Sequence, residues 1–290
     1  MGRAEAEAAP HAVAVIPARF DSTRFPGKVL APIAGIPMVA RVVRGTARAS
    51  RVAMVCVATD DKRVADVAEA AGATVVMTAA GHATGTDRVA EAVAALRRGA
   101  DPGLPGNEVD VVINVQGDQP LIEPDDLDRL VAALAADPDV GVATLAAPLA
   151  DDGQFARPDV VKVVVDERDD ALYFSRAPVP YWQAEEGRRP DAALVHVGVY
   201  GFRRSALEAF ASSPPATLER LEGLEQLRLL ARGVRIRVVR TAAVTPSVDR
   251  PEDIARVEAL LAGGAHAEPT GTDRTTTCYR PALATGGRAC

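Results

Sequence analysis

Short apolar runs alternate with amphipathic stretches along most of this chain, and the two periods separate strands from helices. Val13–Pro17, Val52–Thr59, Thr74–Met77, Val109–Val115 and Val140–Ala143 read as strands, Val13–Pro17 and Val109–Val115 of the kind buried on both sides. Between them, Met38–Ala49, Arg63–Ala71, Val89–Arg97 and Glu123–Ala136 carry helical spacing. Gly72 closes the second helix, and Thr86 or Asp87 stands where a cap for the third is expected. Such alternation predicts an α/β fold, with a mainly parallel sheet covered by helices on both faces.

The second half changes character. Val160–Asp166 and Ala193–Phe202 read as strands, and the intervening SRAPVPYW, with two prolines, as a loop or an edge. Leu218–Ala231 predicts one helix and Val234–Arg240 a strand. Ser247-Val248-Asp249 precedes a helix that Pro251 is expected to start. Residues 1–11 read as an extension. From Gly263 the chain turns to Gly, Thr, Ala and Arg with no apolar period, the composition of a disordered tail. The expected domain is therefore 12–262.

Composition narrows the function classes. A net charge of −6 is opposite to the basic excess of a nucleic-acid binder, so an anionic ligand must be held by a local cluster of cations. Three cysteines without metal-ligand spacing point to a reducing compartment. The chain begins MGRAEAEAAP, which has no apolar signal region, and no run approaches the ~18 apolar residues of a membrane span, so a cytoplasmic location is expected.

Candidate chemistry begins in VAVIPARFDSTRFPGK, Val13–Lys28. A buried strand runs straight into a loop with Arg19, Ser22, Arg24, Gly27 and Lys28. The carboxyl end of such a strand is where α/β sheets bind ligands, and cations with backbone N–H groups suit phosphates. Neither the GxxxxGK[ST] nor the GxGxxG spacing is present. Arg19 and Lys28 could neutralise a triphosphate, or be two solvated cations. Asp118 and Asp249, each expected after an apolar strand, offer hard oxygens for Mg²⁺, or tighten turns. Asp60 and Asp61 either touch a ribose or base or begin the next helix. Arg88 and Arg176 suit a carboxylate substrate, with salt bridges inside the fold as the competing reading. His196 and Tyr200, evenly spaced on one strand, face the same side. A lone strand histidine is ordinarily structural. Gln226 could bind hydroxyls, and Glu225 and Gln226 otherwise belong to a helix surface.

PARFDSTRFPGK, VATDD, H-x-TGTDR, VQGDQP, YFSRAPVPYW, HVGVYGFR and LEGLEQLRLL occur in this order. Together they make the chain, from about Val13 to Leu261, resemble the 3-deoxy-manno-octulosonate (Kdo) cytidylyltransferases, or CMP-Kdo synthetases. The resemblance implies a Rossmann-like nucleotidyltransferase fold, a homodimer, CTP as donor and Mg²⁺ as cofactor. It implies Mg-assisted in-line attack by the 2-hydroxyl of a 3-deoxy-2-keto sugar acid on the α-phosphate, expelling pyrophosphate. By motif, Arg19, Lys28, Asp118 and Asp249 would be catalytic, the two aspartates holding the metal. Ser22, Arg24, Asp60, Thr84, Gly85 and Thr86 would bind the nucleotide. Arg88, Gln116, Arg176, His196, Tyr200, Glu225 and Gln226 would line the acid pocket. Residues 12–150 would serve the nucleotide, and 151–262 the acceptor and dimerisation.

Four positions depart from the family pattern: Gln119 for glutamate, Val29 for proline, Phe25 for leucine and Arg250 for threonine. Gln119 removes a negative charge beside the expected metal, which leaves a phosphonate or another sugar acid as the alternative acceptor. A non-catalytic nucleotide-binding protein is the third reading. It predicts loss of Asp118, Asp249 or Lys28, all of which are present.

Overall fold

A computed structural model describes residues 12–22, 24–98, 110–181, 183, 193–242 and 244–263. The expected extension 1–11, the tail beyond Gly263, Val109 and Trp182 lie outside the described residues. The chain runs β1 (Ala12–Pro17), a 3-10 turn (Lys28–Leu30), the hairpin β2 (Pro32–Ile33) and β3 (Ile36–Pro37), and α1 (Met38–Thr46). Then come β4 (Val52–Thr59), α2 (Lys62–Ala70), β5 (Thr74–Met77), α3 (Gly85–Arg98), β6 (Val111–Asn114) and α4 (Pro124–Ala136). The second half holds β7 (Val140–Pro148), α5 (Asp152–Ala156), β8 (Lys162–Val165), β9 (Ala171–Ser175), β10 (Leu194–Arg203) and α6 (Arg204–Ala211). It ends with α7 (Thr217–Glu222), α8 (Gln226–Leu230), β11 (Arg235–Arg240) and α9 (Asp253–Ala262).

The main sheet has the order β11-β7-β10-β6-β1-β4-β5, with β8 attached to β10 and β9 to β8. Along that order only β10 runs against the rest, so the mainly parallel mixed sheet expected from the pattern is present. Residues of β1 alternate between two cores. Ala12, Ala14 and Ile16 pack with α1, α2 and α4, whereas Val13 and Val15 pack with α3, α6 and α8. A third, smaller core gathers Ile33, Met38, Leu121, Val248 and Val257, fixing α9 against the β2–β3 hairpin. Among the described residues no helix is long and apolar enough to cross a membrane.

Several expectations are corrected. α3 begins at Gly85, four residues before the expected Val89, because the cap is Thr84: its Oγ1 accepts the Asp87 N–H at 3.1 Å. The single helix expected over 218–231 is two, broken at Gly223, whose φ of 64° lies in the left-handed region. α9 starts at Asp253, since Pro251 and Glu252 form a turn before it. Asp249 follows no strand; it sits in an irregular segment well after β11. The hairpin β2–β3, α5, β9 and α6 have too few residues, or too weak an apolar period, to stand out in the pattern. Ser175, expected in a loop, ends β9.

Candidate active site

Strand order places a topological switch at β1, with β4 on one side and β6 on the other, and a cleft opens at the carboxyl ends of β1 and β6. It has a volume of about 370 Å³. Pro17, Arg19, Ser22, Arg24 and Lys28 come to it from the first loop, Gln116, Gly117 and Asp118 from the end of β6, and Thr84, Gly85 and Arg88 from the start of α3. Gly117 packs closely here: a Cβ would stand 3.0 Å from the Pro17 carbonyl oxygen, tight enough that the backbone at the end of β1 would have to give by a few tenths of an ångström.

The centre of the cleft is a charge cluster. The Lys28 ammonium donates to Asp118 Oδ2 at 2.8 Å and to Asp249 Oδ1 at 3.5 Å, and Arg24 lies 3.1 Å from the same Asp249 oxygen. Two carboxylates far apart in sequence thus meet at one cation. Their backbones are tied as well, Val248 N–H donating to the Asp118 carbonyl at 2.9 Å. Among the described residues no group of three or more His, Cys, Asp or Glu could hold a metal alone. A convergent pair of carboxylates fits Mg²⁺, which takes one or two carboxylates and completes its shell with substrate phosphates and water.

Arg88 lines the cleft but is buried, donating to Asp60 Oδ2 at 3.0 Å and Thr78 Oγ1 at 2.6 Å. The internal salt bridge is what the structure shows for Arg88, and Asp60 does not line the cleft. Asp61 caps α2, accepting the Arg63 N–H at 2.8 Å, and the Arg63 guanidinium beside it holds its carboxyl at about 2. Glu225 reaches the cleft from between α7 and α8. Burial raises its carboxyl above the usual range, although Thr86 and Thr84 hydrogen-bond it.

Behind this wall, Thr86, Tyr200, Glu225 and Gln226 line a second, much smaller cavity. Tyr200 donates to Gln226 Oε1 at 3.1 Å, while Gln226 Nε2 is buried without a partner. His196 is further in. Its Nε2 lies 3.0 Å from Thr144 Oγ1, its ring is 5.0 Å from Phe174 and 5.4 Å from Tyr200, and burial drives its pKa down to about 3. The expected common side for His196 and Tyr200 is therefore present, but His196 does not touch the cleft. Arg176 also stands outside it, donating to the carbonyls of Glu222 at 2.7 Å, Pro158 at 3.0 Å and Gly223 at 3.4 Å.

Among the polar side chains of the cleft, two were not singled out from the sequence. Asp21 lies in the first loop, and His82 heads the TGTDR motif and is hydrogen-bonded to Glu91 of α3. The motif itself was the available signal for His82. Gln119 is buried, outside the cleft, and its Oε1 has no hydrogen-bond partner.

The cytidylyltransferase family model matches residues 13–236. The 3-deoxy-manno-octulosonate cytidylyltransferase of Syntrophotalea carbinolica is 47% identical over 258 residues, covering 86% of this chain and 98% of the relative. That of an Anaeromyxobacter species is 50% identical over 250 residues, covering 86% and 96%. A solved structure of CMP:2-keto-3-deoxy-manno-octonic acid synthetase complexed with CTP is similar with a TM-score of 0.79 and 41% identity, covering 88% of this chain and 99% of that one. The 4-diphosphocytidyl-2C-methyl-D-erythritol synthase of Anaerococcus prevotii shares the fold, with a TM-score of 0.56 at 14% identity, covering 88% and 97%.

Proposed function

Since the chain belongs to the 3-deoxy-manno-octulosonate cytidylyltransferase family, we propose that it transfers CMP from CTP to the 2-hydroxyl of Kdo, releasing pyrophosphate and supplying lipopolysaccharide synthesis. The carrying observation is the meeting of Asp118 and Asp249 on Lys28 in a cleft that also holds Arg19 and Arg24. Cations at one wall bind a triphosphate in a fixed orientation, leaving the α-phosphorus open to attack in line with the departing pyrophosphate. The hydroxyl oxygen bonds to phosphorus as the bridge to the β-phosphate breaks, and the hydroxyl proton is released. Arg19, Arg24 and Lys28 offset the charge gathering on pyrophosphate. Mg²⁺ bound by Asp118 and Asp249 would supply further neutralisation and a more acidic hydroxyl.

Ser22, Thr84 and Gly85 stand where the nucleotide would lie, and Gln116 and Glu225 where the acceptor would approach it. Arg88, Arg176, His196 and Tyr200 then act at one remove, by shaping the walls. On this reading residues 12–150 serve the nucleotide, and 151–262 the acceptor and the contact between two copies. The test is pyrophosphate release from CTP and Mg²⁺, with Kdo, other sugar acids and small phosphonates offered separately. Release with Kdo is expected. Release with a phosphonate or another acid and none with Kdo would reassign the acceptor, and no release with any of them would overturn the transferase reading.

A further inference from the structure

Asp249 has an unusual support. It lies in a stretch between β11 and α9 with no ladder or helix to hold its backbone, and ordering such a residue costs about 1–2 kcal/mol of conformational entropy. Two devices fix it. Val248, immediately before it, is fully buried in the third core with Ile33, Met38, Leu121 and Val257. Asp253, four residues after it at the start of α9, turns its carboxylate back on the chain. Its Oδ2 accepts the N–H of Asp249 and the N–H of Arg250, each at 2.8 Å.

We infer that Asp253 is a positioning residue for Asp249, and through it for the cation-binding pair. This rests on the proposed role of Asp118 and Asp249. The carboxylate makes two charge-assisted hydrogen bonds, the stronger class, and is favoured at a helix N-terminus. The helix that carries it is anchored in turn. Glu258 Oε1 accepts the Ala34 N–H at 2.7 Å, at the tip of the β2–β3 hairpin. That hairpin directly follows the 3-10 turn bearing Lys28. Lys28 and Asp249 are therefore registered on the same small core from two sides, and Asp253 is the last link before the carboxylate. Without it, two backbone N–H groups turn to water and Asp249 loses its fixed place opposite Asp118. Residues that orient metal ligands typically cost 10–100-fold in metal affinity when removed.

The experiment is a titration of the protein with Mn²⁺ as a stand-in for Mg²⁺, followed by electron paramagnetic resonance, with CTP present and no acceptor. CTP binding in EDTA and Tm are measured in parallel. D253A is expected to weaken Mn²⁺ binding 10–100-fold, with CTP binding in EDTA unchanged. D253N keeps an acceptor oxygen and is expected to stay close to the wild type. E258A loosens α9 at the hairpin but spares the bonds to Asp249 and Arg250, so it is expected to lower Tm and leave Mn²⁺ affinity in place. Wild-type Mn²⁺ affinity in D253A overturns the inference alone, as does an equal loss in D253N or E258A. Absence of Mn²⁺ binding by the wild-type protein with CTP would remove the metal role of Asp118 and Asp249, and this inference with it.

Discussion

His196 shows how far a residue's role depends on what surrounds it. In sequence it stood among the acid-pocket candidates; in the fold it is half-buried, packed against Phe174 and Tyr200 beside Thr144, and loss of solvent lowers its pKa to about 3. The unfolded chain protonates a histidine at about 6.5, so below that pH the unfolded state binds a proton the folded state refuses. The stability this gives is fully present above pH 6.5 and is lost as pH falls towards 3. The slope is at most about 1.4 kcal/mol per pH unit. Denaturant unfolding of wild type and H196N at intervals from pH 7.5 to 5 is expected to show a steeper fall in the wild type below 6.5. Parallel curves would mean that His196 takes up its proton in the folded protein. Glu225 pulls the other way. Its raised pKa contributes stability that is full below the unfolded value and is lost as pH rises through the folded one. A buried carboxyl beside the cleft is thus kept at some cost to the fold, as functional groups often are.

The break between α7 and α8 is the element on which Glu225 depends. LEGLEQLRLL has the apolar spacing of one continuous helix, yet the chain turns at Gly223 with φ 64° and ψ 39°, and Glu225 and Gln226 emerge towards Tyr200 and the cleft. Space is not the reason for glycine, since a Cβ there would lie 3.9 Å from the Arg176 guanidinium. The left-handed backbone is, and a side chain in it costs roughly 1–2 kcal/mol. G223A is therefore expected to lower stability by about that amount and to raise the KM for the acceptor, with the KM for CTP little changed. G223N, which tolerates the conformation, should recover most of both. Equal rises in both KM values would mean that the break serves packing alone. The same element shows what could be read from the sequence. The strand Val52–Thr59 was legible because its second half is buried on both faces, the edge strand Thr74–Met77 only by its short run of β-branched residues, and the Lys28 loop by its cluster of cations. For Arg88 and Arg176 a carboxylate-binding role and an internal contact both stayed open in the sequence, because Asp60, Thr78 and the Glu222 carbonyl reach them only through folding. The convergence of Asp118 with Asp249 is likewise a product of the third core, whose members are scattered along the chain.

At the scale of the whole molecule, the candidate cleft and most of the exposed large apolar side chains lie on different elements. Leu172 of β9 is 61% exposed, Leu221 and Leu218 of α7 are 77% and 41%, and Tyr181, in the segment after β9, is 88%. β9 and α7 are neighbours, since Glu222 accepts from Ser175 Oγ at 2.7 Å and from the Arg176 N–H at 2.9 Å. Met77 of β5 and Val244 are exposed elsewhere, but exposed apolar side chains on adjoining elements would suit an interaction surface. For an enzyme, a two-fold contact with a second copy is a common use of such a surface. Glu222 ends the helix just before the turn that presents Glu225. On the proposed reading of Glu225 as acceptor-facing, a partner seated on α7 would therefore stiffen that side of the cleft in each protomer and leave the Lys28 side alone. Light scattering is expected to give twice the 30.3 kDa chain mass. The double variant L172K/L221K is expected to give a monomer with an unchanged circular dichroism spectrum and a raised acceptor KM. A wild-type monomer at tens of micromolar would remove the dimer, and a monomeric variant with unaltered KM would keep the dimer while separating it from the acceptor wall.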